Sequence, residues 1–406
     1  MKARVTSGLT ARTPDRISPL PRTLSTRELV SLQNWRERPH SCFSFHNVRE
    51  FVGTQQINKS ENARHLPVDL ISKPELQRAA ELASLDDFLI ETETDALAIL
   101  KNGCLAFDWR ADHYSSEKPH IVFSISKSIT GMLAGQLQHV GLLNPDRLVR
   151  DYLPDMLPEG YGGCTVQHLL DMQAAIDFDE NYLDTTGAYV RYRIATMWNP
   201  PSDAAPKDED LRTFLLSLRC SASSHGEVFR YLSPNSDLLG IVLEQAGSGR
   251  YADLLSEYVL GPLGCAHEAY ITVDRAGTAR AAGGICLHPH DLARVGQGIL
   301  DAIISGENAS IPAAWIQDTL TSGNVSAWEN GEFSGLLPQG NYRNQWYVSD
   351  RETPCLLAIG IHGQWLYIDL KRQIVIVKLS SQAEPVNEAL DAKLIRFFGR
   401  IAKSIG

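Results

Sequence analysis

The sequence contains no run of about 18 apolar residues, the least that a membrane-crossing helix needs. Its opening stretch, MKARVTSGLTARTPDRISPLPRTLSTREL, is basic and proline-containing but lacks the apolar core of roughly 7–15 residues found in secretory signals. Both absences lead to the expectation of a soluble, cytoplasmic protein with no membrane partner. Positive charge is also in short supply. Lys and Arg number 38 against 48 Asp and Glu, a net charge of −10, which disfavours nucleic acid and anionic membranes as partners. The seven cysteines (Cys42, Cys104, Cys164, Cys220, Cys265, Cys286 and Cys355) stand singly and are odd in number, with no Cys-x-x-Cys. Neither a disulfide framework nor a zinc site is expected from that spacing, and reduced thiols fit best. Low-complexity tracts and internal repeats are missing, and so is the Gly-x-Ser-x-Gly elbow of one large group of serine enzymes.

What remains is an ordinary globular balance, 43% hydrophobic and 21% charged over 406 residues, enough for two or three compact units at roughly 150 residues each. Residues 1 to about 40 mix Arg, Ser, Thr and Pro without a sustained apolar period and read as a flexible or surface-hugging arm (1–42). A compact unit is expected from Phe43. In "ALAILKNGCLAFDW", Leu97 and Ile99 alternate into Asn102-Gly103 and out through Leu105, Phe107 and Trp109, a hairpin signature. Towards the other end, "LLAIGIHGQWLYIDLKRQIVIVKLSS" predicts two strands, 356–369 and 373–380, and residues 386–404 return to helical period. The middle, about 146–270, is dominated by helix patterns such as TVQHLLDM and NSDLLGIVLEQAG. The expected layout is a mixed α/β (α+β) chain whose antiparallel sheet draws on both ends, 43–145 and 271–406, with a helical insert at 146–270. A cleft between the two parts is the natural place for a small molecule.

One short stretch carries chemistry. "FSISKS" (123–128) puts a hydroxyl at Ser124 and an amine at Lys127, at the head of a segment in which Ile125, Ile129, Met132, Leu133, Leu137 and Val140 recur at three- and four-residue steps. Ser124 then lies in the first turn of a helix. Positions three apart share a helix face, so hydroxyl and amine can meet, and the helix start supplies free N–H groups and positive potential. The same spacing in Ser115-Ser116-Glu117-Lys118 is followed by Pro119 with no apolar period behind it and reads as loop. An amine serves as a base when its pKa falls from ~10.4 towards ~7–8, through burial or a neighbouring cation. Such a site also calls for a second hydroxyl to relay the proton, and "FRYLSPNSDLLGIVLEQAG" offers Tyr231 just before a helix, followed by Ser233 and Asn235.

With those residues in place the chain resembles the serine β-lactamase and penicillin-binding-protein superfamily. It is most similar to 6-aminohexanoate-dimer hydrolases and related carboxylesterases through six ordered blocks: "SFHNVREFV", "FSISKS", "TVQHLLDM", "FRYLSPNSDLLG", "GGICLHPHDLARVG" and "GIHGQWLYID". The resemblance spans about residues 43–385 and implies the β-lactamase/transpeptidase-like fold. It implies Ser124 as acyl-forming nucleophile, Lys127 as the buried amine that takes its proton, and Tyr231 as the hydroxyl that passes a proton to the leaving group. Ser233 stands where class C β-lactamases have the Asn of Tyr-x-Asn. Of the two oxyanion donors, one would be the Ser124 N–H. The other would come from Ala358-Ile359-Gly360-Ile361-His362-Gly363-Gln364, where β-lactamases carry Lys-Thr-Gly on an edge strand. The preferred register gives close backbone approach to Gly360 and the N–H to Ile361; a shift of three nominates Gly363 and Gln364. No Lys is present, which removes the usual anchor for an antibiotic carboxylate. His362 is either a substrate contact or a packed strand residue.

The resemblance further implies a loop whose Tyr182 and Trp198 close over substrate. Arg193 falls where oligoamide-cleaving relatives can carry an acid for the substrate's ammonium, and Ala282 falls where a second polar contact is expected. Both departures disfavour nylon-dimer cleavage, and Arg193 would favour a carboxylate or a neutral ester. His288-Pro289-His290 reads as a helix-entry turn without a metal, and no cofactor is expected. The expected activity is hydrolysis of small carboxylic esters, with amides as a further class. The alternatives are a 6-aminohexanoate-oligomer hydrolase and a catalytically silent scaffold of the same fold. The sequence leaves the oligomeric state open, a homodimer included.

Overall fold

A computed structural model describes residues 26–154, 159–306 and 310–406. The first 25 residues of the expected arm lie outside the described residues. Eleven strands form two sheets. Strands β1 (Thr54–Ile57), β4 (His120–Ile121), β5 (Ala269–Thr272) and β6 (Ile285–Leu287) make a small sheet in the order β1-β5-β6-β4. The large sheet contains β2 (Thr94–Lys101), β3 (Cys104–Arg110), β7 (Asn341–Arg343), β8 (Trp346–Val348), β9 (Cys355–Gly360), β10 (Gln364–Asp369) and β11 (Ile374–Ser380). Its order is β3-β2-β11-β10-β9-β8-β7, antiparallel throughout, so the two chain ends meet where β2 pairs with β11.

Period-two alternation explains why this sheet is buried on both faces. Ala96, Ala98, Leu100, Leu366, Ile368, Val375 and Val377 point to one side, against helices Ile125–His139 and Pro289–Ser305. Leu97, Ile99, Trp365, Tyr367, Ile374 and Ile376 point to the other, against the carboxy-terminal helix Glu388–Ile405 through Leu394, Phe397, Phe398 and Ile401. The hairpin forms at Asn102-Gly103, whose φ values of 49° and 79° are those a tight two-residue turn requires. Residues 146–268 contribute helices, among them Val166–Leu170, Ala188–Ala195 and Ser233–Gly247. Their core is continuous with the sheet: Leu169, Phe214 and Leu238 belong to the same cluster as Ala98 and Val377.

Three expectations need correction. The single strand expected over 356–369 is a hairpin, β9 and β10, turning at Ile361-His362-Gly363, where His362 and Gly363 take φ values of 60° and 82°. Apolar content on both sides of the turn hid it. The strand bearing the third motif is not an edge strand at its start, since β8 pairs with Leu356 and Leu357; beyond Leu357 that pairing ends and the last residues of β9 turn towards Ser124. Packing also begins before Phe43. Trp35 is fully buried in an aromatic cluster with Phe45, Phe123 and Trp198, so residues 26–42 are part of the body. Among the described residues no helix is long and apolar enough to cross a membrane.

Candidate active site

Ser124 is the N-cap of helix Ile125–His139, one residue earlier than its expected first turn, and it is partly exposed whereas Phe123 and Ile125 beside it are buried. Phe123 has φ 43°, a left-handed conformation that costs an aromatic residue on the order of 1–3 kcal/mol and persists only where packing enforces it. Here Trp35, Phe45 and Trp198 hold its ring. The helix is pinned as well: the Ser126 hydroxyl accepts the Ile285 N–H at 3.0 Å, and the Ser128 hydroxyl donates to the Gln345 carbonyl at 2.7 Å.

The three side chains on which the predicted chemistry depends come together. Lys127 Nζ lies 3.0 Å from Ser124 Oγ and 4.8 Å from the centre of the Tyr231 ring, whose hydroxyl is on the Ser124 side. Lys127 is 1% exposed. Burial pulls its pKa down to about 7, with Glu180 and Asp237 pulling the other way and Arg280 reinforcing the fall. Burial drives the Tyr231 phenol upward, so it stays protonated at neutral pH, and the neighbouring Ser124 hydroxyl opposes that only in part. The arrangement sets beside one hydroxyl an amine that loses its proton near neutral pH and a phenol that keeps its own.

The polypeptide around the trio fixes it. Lys127 also donates to the Ala282 carbonyl at 2.7 Å, and the Ala282 N–H in turn donates to Asp237 Oδ1 at 2.8 Å. Asp237 is fully buried and paired with Arg280 and the Tyr192 hydroxyl. Ala282, expected as a missing polar contact, thus supplies backbone instead of a side chain. The end of β9 closes the other side: a Cβ at Gly360 would lie 2.6 Å from the Val122 carbonyl oxygen and 3.1 Å from Ser124 N. Neither the Ser124 N–H nor the Ile361 N–H has a protein acceptor among the described residues. Of the two registers, the one centred on Gly360 is the one that abuts Ser124. In the other, Gly363 packs on Gln382, and Gln364 is paired with Gly360 in the β9–β10 ladder.

Other expected contacts sort unevenly. Tyr182 donates to Glu180 Oε1 at 2.9 Å and stacks edge-on against Tyr189. Trp198 packs on Phe123 and, through Cη2, lies 3.2 Å from the Cβ position of Gly283, making it a wall beside Ser124. Ser233 is committed to Glu180 through both its hydroxyl and its N–H, so its hydroxyl is spent on a carboxylate and not on Ser124. His362 sits in the turn and not in a strand, its ring against Phe45 and Phe123 and its Nδ1–H donated to the Gln382 carbonyl at 2.7 Å. Burial drops its pKa to about 4. Arg193 lies over the Tyr189 ring at 4.7 Å and donates to the Asp184 carbonyl. His288 caps helix Pro289–Ser305, the helix-entry role its proline suggested. Sequence reasoning missed Glu180, Asp237 with Arg280, and Arg36, which donates to the Trp198 carbonyl at 2.7 Å. Asp237 lies inside the quoted helix pattern, three residues after Pro234, but no spacing rule marks it.

This architecture, an antiparallel sheet covered on both faces with Ser-x-x-Lys heading a buried helix, is that of the β-lactamase-like hydrolases. The chain belongs to the β-lactamase family, whose model matches residues 88–400. It is 32% identical, over 87% of its length and 89% of the relative's, to the 6-aminohexanoate-dimer hydrolase of Paenarthrobacter ureafaciens. Among solved structures, one from Bacillus anthracis provisionally called a 6-aminohexanoate-dimer hydrolase superposes with a TM-score of 0.82 at 22% identity, covering 93% of this chain and 97% of the other. EstCE1, described as a hydrolase with promiscuous acyltransferase activity, gives 0.62 at 16% identity, covering 81% and 99%.

Proposed function

We propose that the protein is a serine hydrolase that cleaves small carboxylic esters, and amides as a further class, through an acyl-enzyme on Ser124. The observation that carries this is the contact of Lys127 Nζ with Ser124 Oγ at 3.0 Å, with the Tyr231 ring 4.8 Å from the same buried amine. Ser124 Oγ attacks the carbonyl carbon while its proton passes to the neutral Lys127 amine. Tyr231 gives a proton to the departing alkoxide or amine and is reprotonated from the Lys127 side. A water then attacks the acyl carbon by the reverse route and frees Ser124. The Ser124 and Ile361 N–H groups are the proposed oxyanion donors, each worth ~2.7–4 kcal/mol in the transition state.

A 6-aminohexanoate-oligomer hydrolase is the second reading, favoured by the 32% identical relative and opposed by Arg193, a cation at the position where an acid for the substrate's ammonium is expected. A silent scaffold has no physical need for a partly exposed hydroxyl held at a helix start against a buried amine and the Tyr231 ring. The test is p-nitrophenyl acetate and butyrate turnover, with intact-mass detection of the acyl adduct and fluorophosphonate labelling. The expected result is a burst and one adduct, both abolished in Ser124→Ala. Neither turnover nor labelling in the wild type would leave the scaffold reading.

A further inference from the structure

Two guanidinium groups near the site have no acidic partner. Arg36 donates through Nη1 to the Trp198 carbonyl at 2.7 Å and through Nη2 to Asn199 Oδ1 at 2.5 Å, and lies over the Trp35 ring at 4.8 Å. Arg193 donates through Nη2 to the Asp184 carbonyl at 2.7 Å, while its Nε is buried without any partner. Neither forms an ion pair with a carboxylate among the described residues. Elsewhere in the molecule the buried arginines are paired: Arg280 with Asp237, Arg294 with Asp291.

The two cations are neighbours. Arg193 is the largest electrostatic influence on Arg36 after burial, and together they depress the Arg36 pKa to about 10. Arg193 covers the Tyr189 ring at 4.7 Å, and Tyr182 stacks on the edge of that ring. Arg36 also acts on His362, in the turn that follows Gly360. Both arginines bracket Trp198, the residue packed on Phe123: the Arg193 carbonyl accepts the Trp198 N–H at 2.8 Å, and Arg36 donates to the Trp198 carbonyl. Two half-buried guanidinium groups without a carboxylate partner, one with an unsatisfied buried N–H, are stabilised by an anion that accepts from them.

We propose that Arg36 and Arg193 form an anion-binding subsite of the Ser124 cleft that selects substrates carrying a carboxylate distal to the scissile bond. The selection step rests on the hydrolase reading above; the binding of the anion does not. Guanidinium groups suit this task because their planar donors match a carboxylate two at a time, and a cationic or uncharged chain end leaves them unpaired. The subsite gives the amino-terminal segment a function: Trp35 and Arg36 both grip the Trp198 carbonyl, at 3.0 and 2.7 Å, and bring a cation to a site whose other residues lie after position 120.

The experiment has two arms. In the first, turnover of the mono-p-nitrophenyl ester of adipic acid is compared with p-nitrophenyl hexanoate, and 4-acetoxybenzoate with phenyl acetate, so that the carboxylate is offered on the acyl side and on the leaving-group side. The expected result is a kcat/KM ratio of about tenfold or more in favour of the anion in one pair, the scale of a single charge-assisted hydrogen bond. That ratio collapses in Arg193→Gln and Arg36→Gln and is reduced but not abolished in Arg193→Lys, which keeps the charge and loses the paired donors. In the second, adipate and the uncharged adipamide are titrated into Ser124→Ala by calorimetry, with binding of adipate alone expected, and its loss in Ser124→Ala/Arg193→Gln. Equal kcat/KM within both pairs, equal loss on both members of a pair in the variants, or no adipate binding would each overturn the subsite. If no ester is turned over yet adipate binds in an Arg193-dependent way, the hydrolase reading falls and the subsite stands.

Discussion

At the residue scale, the decisive quantity is the protonation state of one amine. Lys127 can take the Ser124 proton only when neutral, and burial puts its pKa at about 7. The kcat/KM profile for a neutral ester is therefore expected to rise with pH and level off above about pH 7, as the protonated, inactive amine is titrated away. Glu180 opposes the shift, because a nearby negative charge favours the ammonium. Replacing it tests the coupling. In Glu180→Gln the limb should move to lower pH, and a limb that stays or moves upward would show that Glu180 acts only through Ser233 and Tyr182, which it also holds. Tyr231→Phe keeps the ring beneath Lys127 but removes the relay. It should lose on the order of 10²–10⁴ in kcat, the usual range for a general acid or base, and lose less on p-nitrophenyl esters, whose leaving group needs no proton.

At the element scale, the site depends on how closely two backbone segments approach the central helix. A Cβ at Gly131 would lie 2.1 Å from the Asn344 carbonyl oxygen, and a Cβ at Gly360 2.6 Å from that of Val122. Neither neighbour is a flexible side-chain end that can swing away, so both substitutions force a backbone shift that costs ~1–3 kcal/mol or more. Their consequences should differ. Gly131→Ala separates the helix from the β7–β8 turn and should lower the urea midpoint with a modest effect on kcat. Gly360→Ala displaces the strand end that abuts Ser124 N and should cut kcat by about 10²–10³-fold, the loss of one oxyanion donor, whatever its stability. Equal activity losses in the two variants would mean that the strand end has no special place in the reaction.

The same elements show what was legible in the sequence. Helix Ile125–His139 and the Asn102-Gly103 hairpin announce themselves, because a 3.6-residue period and a left-handed dipeptide are local signals. The break at Ile361-His362-Gly363 was hidden because His362 occupies a conformation that its residue type does not advertise. Ser124, Lys127 and Tyr231 could be named because two share a helix turn and the third heads another. Glu180 and Arg36 could not be: each reaches the site from an irregular segment, by contacts about 50 and 160 residues away along the chain.

At the scale of the whole molecule, buried titratable groups set how stability varies with pH. His46, His288 and His362 are held below their ordinary value, at about 3, 3 and 4, chiefly by burial. Below pH ~6.5 the unfolded chain binds protons there that the native state refuses, so stability rises with pH through this window. Lys127 and Lys378 are both pulled down to about 7 by burial, Lys378 while donating to the Thr92 carbonyl at 3.1 Å. Between about pH 7 and 10.4 the unfolded lysines stay protonated and the native ones do not, and each adds ~1 kcal/mol of stability per pH unit. The buried thiols act in the opposite sense. Burial raises Cys42, Cys164, Cys265, Cys286 and Cys355, so above pH ~8.5 the unfolded chain sheds protons that the native state keeps, and stability falls. The balance places the stability maximum near pH ~8, above the neutral range usual for a protein whose carboxylates dominate. Chemical denaturation from pH 5 to 10 checks this, and a maximum below pH 7 would refute it. Lys378→Met removes one lysine from the balance without touching Ser124. It should flatten the rise between pH 7 and 8.5 while the acid limb of kcat/KM stays where Lys127 puts it, separating the amine that serves the chemistry from the amine that serves only the core.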